Sequence, residues 1–285
     1  MNVYLFQLVN GVGIGMIYFL IAVGLSIIFG LLHFVNFAHG AFYLLGSYLA
    51  YQALAWTGNF WLCLVAAPLV VAVLAWFTEK LLVNRVYNLH FTFHILSTFG
   101  LALVIREVAI VVWGPIGLNV PPPDLLRGVV LLGDFAYPIY RLFVIGFGAV
   151  MAVGLWYLLD RTRFGAVIRA GSESTEMVSL LGIDIYRAFA ATFALGAGFA
   201  ALAGVLIAPI RGADPFMGTE ALGIAFVVVV LGGMGTFIGA LVGGLLVGIA
   251  QSMMSSIWPE GAQLIIYTIM AAVIIARPYG LFGRA

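Results

Sequence analysis

The chain is 285 residues long and carries 12 Lys and Arg against 11 Asp and Glu, so 8% of it is charged where a soluble domain has roughly 25%. Hydrophobic residues make up 64%, and 35 glycines come on top of that. A water-soluble fold of this length cannot hide so much apolar surface, which excludes a soluble enzyme, a nucleic-acid-binding protein and a disordered chain.

Crossing the hydrocarbon takes about 20 apolar residues as a helix. The first such stretch, residues 6–32, follows a start, MNVYLFQLVNGVG, that lacks the basic segment of a cleaved signal peptide, so it is expected to remain as a span. The run breaks at HFVNFAHG and resumes at 40–56, then at 61–77, which holds the single Cys63 and so no internal disulfide. Residues 93–113 and 139–159 come next, then a polar stretch at 160–187 and an apolar one at 188–210. Residues 221–258 are too long for one span and are interrupted at GGMGT, 232–236; residues 262–276 complete the set. The expected fold is all-α: one polytopic membrane helix bundle over residues 1–285, with about eight membrane segments and at least one broken or re-entrant helix.

Arginine placement in short loops sets the orientation. Lys80 and Arg85 lie in 79–90, Arg161, Arg163, Arg169 and Arg187 in 160–187, and Arg277 and Arg284 in the tail, all expected in the cytoplasm. The loops 115–138 and 211–220 set Arg127 and Arg211 against Asp124, Asp134, Asp214 and Glu220. Threading the spans puts the N-terminus outside, and the C-terminus inside provided that 221–258 crosses twice.

Within 160–187, Met177, Leu180, Leu181 and Ile183 have helix-like spacing, Ser172 or Ser174 can cap the start, Glu176 falls in the first turn and Gly182 supplies a stop. A short amphipathic helix lying across the cytoplasmic face is expected. Elsewhere small residues recur every four positions, at Gly11 and Gly15, at Gly196, Ala200 and Gly204, at Gly235, Gly239 and Gly243, and at Gly244 and Gly248. Such stripes let helix backbones approach closely in lipid, here within this subunit.

Asn36, His39, Tyr43 and Ser47 fall at i, i+3, i+7 and i+11, one face of a helix. At membrane depth these groups must bond internally or face a watered cavity. Both readings stand, a solute path or a hydrogen-bond network between helices. The interruption at 232–236 holds a comparable place in the other half, as in transporters whose broken helices meet at a midplane site, although the two halves show no convincing alignment. Arg106 and Glu107 are neighbours on one span and do not face one another, so Arg106 is expected to reach outward and Glu107 toward a neighbouring helix. His90 and His94 are four apart, but no Glu or Cys joins them, and no metal or other cofactor is expected. Lys80 is the single lysine and follows no glycine turn, so the chain has no P-loop for ATP. No catalytic constellation stands out, and the chain is not expected to be an enzyme.

Four stretches, in order, carry a resemblance: GLSIIFGLLHFVNFAHGAFYLLGSYLAY, MVSLLGIDIYRAFAATFALGAGFAALAGVL, AFVVVVLGGMGTFIGALVGGLL and the closing RPYGLFG. Together they resemble the branched-chain amino acid ABC transporter permeases, in the shorter of that family's two forms. The resemblance implies a permease subunit of an importer in a bacterial inner membrane. Its implied partners are a second permease, two cytoplasmic ATP-binding subunits that hydrolyse the ATP, a periplasmic solute-binding protein and membrane lipid, with no nucleic acid. It maps a coupling helix to about 171–182, with Glu173, Glu176, Leu181 and Gly182 as ATPase contacts. The substrate pathway would then involve Asn36, His39, Tyr43, Ser47, Gly232, Gly233 and Gly235, working by alternating access. Similar permeases import urea, short amides, other amino acids or aromatic acids, so the solute stays open, and a passive small-solute channel is the rival from another class.

Overall fold

The structure is a computed structural model that describes residues 2–87, 89–132 and 135–283, so Asp134 and Arg284 lie outside it. Each expected apolar stretch is a helix: α1 (Asn2–Leu32), α2 (His39–Thr57), α3 (Phe60–Leu81), α4 (Phe91–Trp113), α5 (Ile139–Arg161), α8 (Ile185–Arg211), α9 (Met217–Gly232), α10 (Phe237–Ile257) and α11 (Leu264–Ala276). Between α5 and α8 lie α6 (Arg163–Glu173) and α7 (Thr175–Leu180). A two-stranded antiparallel hairpin, β1 (Val129–Leu132) and β2 (Phe135–Pro138), closes the loop before α5. Among the described residues six helices are long and apolar enough to cross a bilayer, while α9 and α11 are shorter.

Burial sorts these helices. The most apolar windows of α1 and α8 are 78% and 72% buried inside the protein, against 11% for α4 and 22% for α5. A helix apolar on all sides and buried is a core helix, whereas one equally apolar but exposed presents its side chains to lipid or a partner. Glycine sets how closely the core helices meet. A Cβ built on Gly196 of α8 would stand 2.6 Å from the Gly24 carbonyl of α1, and one on Gly244 of α10 would stand 2.8 Å from Phe19 N. The expected stripes therefore do lie at helix contacts inside the chain.

The two halves of the chain are related, and with inverted direction. α1 packs on α8, α9 and α10, as α8 packs on α1, α2 and α3; α2 packs on α3 and α4, as α9 packs on α10 and α11. α1 runs toward α6, where Gly171 sits on Leu31, while α8 starts there and runs the opposite way. After each of these two helices the chain makes the same turn. Asn36 Oδ1 accepts the Ala38 N–H at 3.0 Å and the Asn36 carbonyl accepts from His39 N. Asp214 Oδ1 accepts the Phe216 N–H at 2.8 Å and the Asp214 carbonyl accepts from Met217 N. Each turn starts a helix whose second residue is glycine, and these two glycines, Gly40 and Gly218, lie against each other.

Three expectations are corrected by this arrangement. The counterpart of the break at HFVNFAHG is the segment 212–216, not GGMGT at 232–236. The latter lies at the α7 end of the bundle, where Gly235 meets Gly30 near the end of α1, and it joins α9 to α10 as an ordinary connection. The C-terminal tail packs there too, with Leu281 and Phe282 donating to the carbonyls of Leu231 and Gly232. Secondly, the polar stretch forms two helices rather than one over 171–182. The backbone turns at Ser174 (φ −156°, ψ 107°), whose Oγ accepts the Met177 N–H at 3.2 Å, so the cap is Ser174 and not Ser172. Thirdly, Arg106 and Glu107 do pair, at 2.8 Å between Nη2 and Oε1, because the long arginine stem bends sideways along the half-exposed helix face.

Candidate functional site

The polar group predicted on one helical face divides into buried and lining members. Asn36 is not on a helix; it sits in the turn before α2, fully buried, and bonds its own backbone. His39 is also fully buried, with Nε2 2.8 Å from the Ile21 carbonyl of α1, an acceptor that places the ring proton on Nε2. The chain has thus climbed back three helical turns along α1 from Leu32, so α2 begins inside the bundle. Ser47 donates to the Leu44 carbonyl at 2.8 Å and meets Met217 Sδ at 3.1 Å. Tyr43 alone among the four lines a large cavity. His39→Leu should therefore lower the thermal midpoint of the purified protein by several degrees, since the ring locks the α2 start to α1. A midpoint equal to wild type in a size-exclusion heating series would show that this bond holds nothing.

That cavity, about 840 Å³, lies away from α7 between α1, α2, α5, α8, α9 and α11. Its size suits a small solute. Ile14, Ile17, Ile21, Val144, Ile207 and Ile224 supply aliphatic wall, and Arg141, Arg211, Asp214 and Glu220 supply charge. Arg211 Nη1 lies 3.1 Å from Glu220 Oε1, which also accepts from Gln263 Nε2 at 3.3 Å. Arg141 donates to the side chain of Asn10. Nearby, Tyr18 donates to Gln251 at 2.6 Å. Arg211, Asp214 and Glu220 were legible in the sequence only as charges of a surface loop. The signal that marks them is RGADPFMG, a charged, Gly- and Pro-bearing break directly after a small-residue helix.

At the opposite end, α7 covers a second groove of about 510 Å³, lined by Leu31, His33, Phe34, Tyr87, His94 and Glu176 among others. It joins α7 to the break between α1 and α2. His33, which opens that break, has φ +55°, a left-handed conformation uncommon for a residue with a Cβ. Phe34 stacks on His94 with centroids 5.0 Å apart, and His90 bonds Thr92 instead of sharing a site with it. Burial, with the Glu79 carboxylate that accepts its proton at 2.6 Å, holds the Tyr87 phenol above its usual pKa. Glu173, Glu176, Leu181 and Gly182 are all exposed on this end, and Gly182 has φ +80°. Gly232 and Gly233 are buried against the C-terminal tail, with Gly233 at φ +103° and Gly235 at +79°; none of these glycines lines the large cavity.

Comparison with known proteins agrees along nearly the full length. Residues 7–275 match the family described as "Branched-chain amino acid transport system / permease component". The chain is 32% identical to the high-affinity branched-chain amino acid transport system permease protein LivH of Escherichia coli K12, over 99% of this chain and 96% of that protein. It is 30% identical to BraD of Pseudomonas aeruginosa, a permease of the same description, with the same coverage. It is also 26% identical to the permease LivM of E. coli K12, over 93% of this chain and 68% of LivM. No solved structure matches.

Proposed function

This chain belongs to the permease-component family of branched-chain amino acid transport systems, and from that premise we propose that it is one of two permeases in a binding-protein-dependent ABC importer of branched-chain or related amino acids. The other partners are two cytoplasmic ATP-binding subunits and a periplasmic solute-binding protein. The protein spans the inner membrane several times as one permease domain, with α7 and the C-terminus in the cytoplasm and the N-terminus outside. α7 and its flanks dock on an ATPase through Glu173, Glu176, Leu181 and Gly182. Closure of the ATPases moves α7, and the groove beneath it passes that motion to the break holding Asn36 and His39. Tyr43 and Ser47 follow that break along α2, while Gly232, Gly233 and Gly235 anchor the α9–α10 connection at the same end of the path.

The observation that carries this reading is the placement of α7. Met177 and Leu180 are 61% and 75% exposed on α7, and Leu181, which follows it, is 74% exposed, while the other side of the helix meets the α1–α2 break. A pore has no use for an apolar lever standing in water, and the patch is a docking surface by its composition. Uptake into proteoliposomes holding the full complex is the test. Accumulation should require ATP and the binding protein. Solute flux through this chain alone, without nucleotide, would make it a passive channel, and ATP-driven uptake of urea, short amides or aromatic acids in place of amino acids would change the solute.

A further inference from the structure

We propose that the mouth of the large cavity binds the head group of a zwitterionic α-amino acid, with Arg211 taking the carboxylate and Glu220 the ammonium. This rests on the amino-acid reading above and adds the site itself. Arg211 is the last residue of α8 and Glu220 stands in the first turn of α9, so the two charges face each other across the segment 212–216. Their contact is a single 3.1 Å bond between groups 53% and 39% exposed, and an ion pair so solvated is weak and easily opened. Among the described residues Arg211 Nη2 and Glu220 Oε2 have no partner, so each group keeps a free donor or acceptor on the cavity.

The other two charges there also have partners, Asp214 the Phe216 N–H and Arg141 the Asn10 side chain, but among the described residues neither forms an ion pair. The Arg211–Glu220 pair has no net charge, and neither has the zwitterion. Insertion therefore replaces one exposed ion pair by two charge-assisted bonds without leaving a charge over. Ile14, Ile17, Ile21, Ile207 and Ile224 lie on the same cavity and offer the aliphatic wall that a branched side chain needs. A solute with one charge, or none, leaves a member of the opened pair without its counterpart. Rejection of such a solute is the stronger kind of discrimination, because it comes from polar groups left unpaired rather than from a missing methylene.

The test is ATP-driven uptake of radiolabelled leucine by the complete complex in proteoliposomes, for wild type, Arg211→Gln, Glu220→Gln and the reversed pair Arg211→Glu with Glu220→Arg. Both single variants and the reversed pair are expected to lose at least about tenfold in uptake, the factor that one charge-assisted bond supplies. Assembly is checked by size exclusion. As a measurement independent of turnover, Thr219→Cys on the cavity wall should be labelled by maleimide more slowly in saturating leucine, and this protection should vanish when Arg211→Gln is added. Single variants that transport as wild type, or a reversed pair that restores uptake, would overturn the site and leave the ion pair a structural latch. A wild-type complex that drives urea or an aromatic acid and no leucine would defeat the amino-acid reading and the site with it, before any variant is compared.

Discussion

Replacing Gly40 with leucine is expected to remove folded protein from the membrane, and Gly218→Leu is expected to do the same. These two residues hold the crossing between α2 and α9, the two helices that start inside the bundle. A Cβ on Gly218 would stand 2.6 Å from the Gly40 carbonyl, and one on Gly40 would stand 2.9 Å from Leu222 Cβ while running into the Gly218 carbonyl. The atoms met are backbone, which cannot rotate away. Overpacking a tight core by small groups costs about 1–3 kcal/mol, and folded domains have only about 5–15 kcal/mol in reserve. An alanine should cost several degrees of thermal midpoint, and a leucine should abolish the monodisperse peak in size exclusion. Gly100→Ala is the control, since nothing lies within 4 Å of a Cβ there. A heating curve for Gly40→Ala that matches the Gly100→Ala curve would refute the close crossing.

The second large effect is expected at α7. Glu176→Lys and Gly182→Val should each cut solute-stimulated ATP hydrolysis and uptake at least about tenfold in complexes that still assemble. Glu176 lies in the first turn behind the Ser174 cap, where a negative charge suits the helix end, so reversal weakens the helix and the docking face together. Gly182 has open space around its Cβ position, so its requirement is conformational. At φ +80° an L side chain costs roughly 1–2 kcal/mol, which would tilt the turn that delivers α7 to α8. Gly182→Asn should be milder, because asparagine tolerates that region. If both Glu176→Lys and Gly182→Val keep full solute-stimulated hydrolysis, the coupling role of this segment is wrong.

The membrane helices were legible in the sequence because twenty apolar residues in a row have few other uses. The α7 signals were legible too, since a serine cap and a left-handed glycine are local devices. What escaped was whatever depends on two distant segments. HFVNFAHG and RGADPFMG share little beyond an Asx residue four places before a glycine, yet both build the same turn, because only a side-chain oxygen and a missing Cβ are needed. The glycines of 232–236 say that the chain can bend there and nothing about depth. The Cβ directions of Arg106 and Glu107 diverge on the helix, and arginine is long enough to defeat that rule. The large cavity takes its wall from six helices that lie far apart along the chain, so no window of sequence contains it.

The two inverted halves also raise a matter of parity. α1 to α4 bring the chain back to the end of the bundle from which it started, since Trp113 of α4 packs near the end of α2 and the next loop pairs Leu118 with Ala213 beyond α8. A second four-helix unit starting from there would repeat the first in the same direction. Among the described residues α5 is the one long apolar helix without a counterpart, and its one traverse delivers the chain to the α7 end, so that α8 begins upside down. An odd spacer is therefore what turns a duplication into a two-fold arrangement, and it places the segment bearing α6 and α7 where the direction reverses.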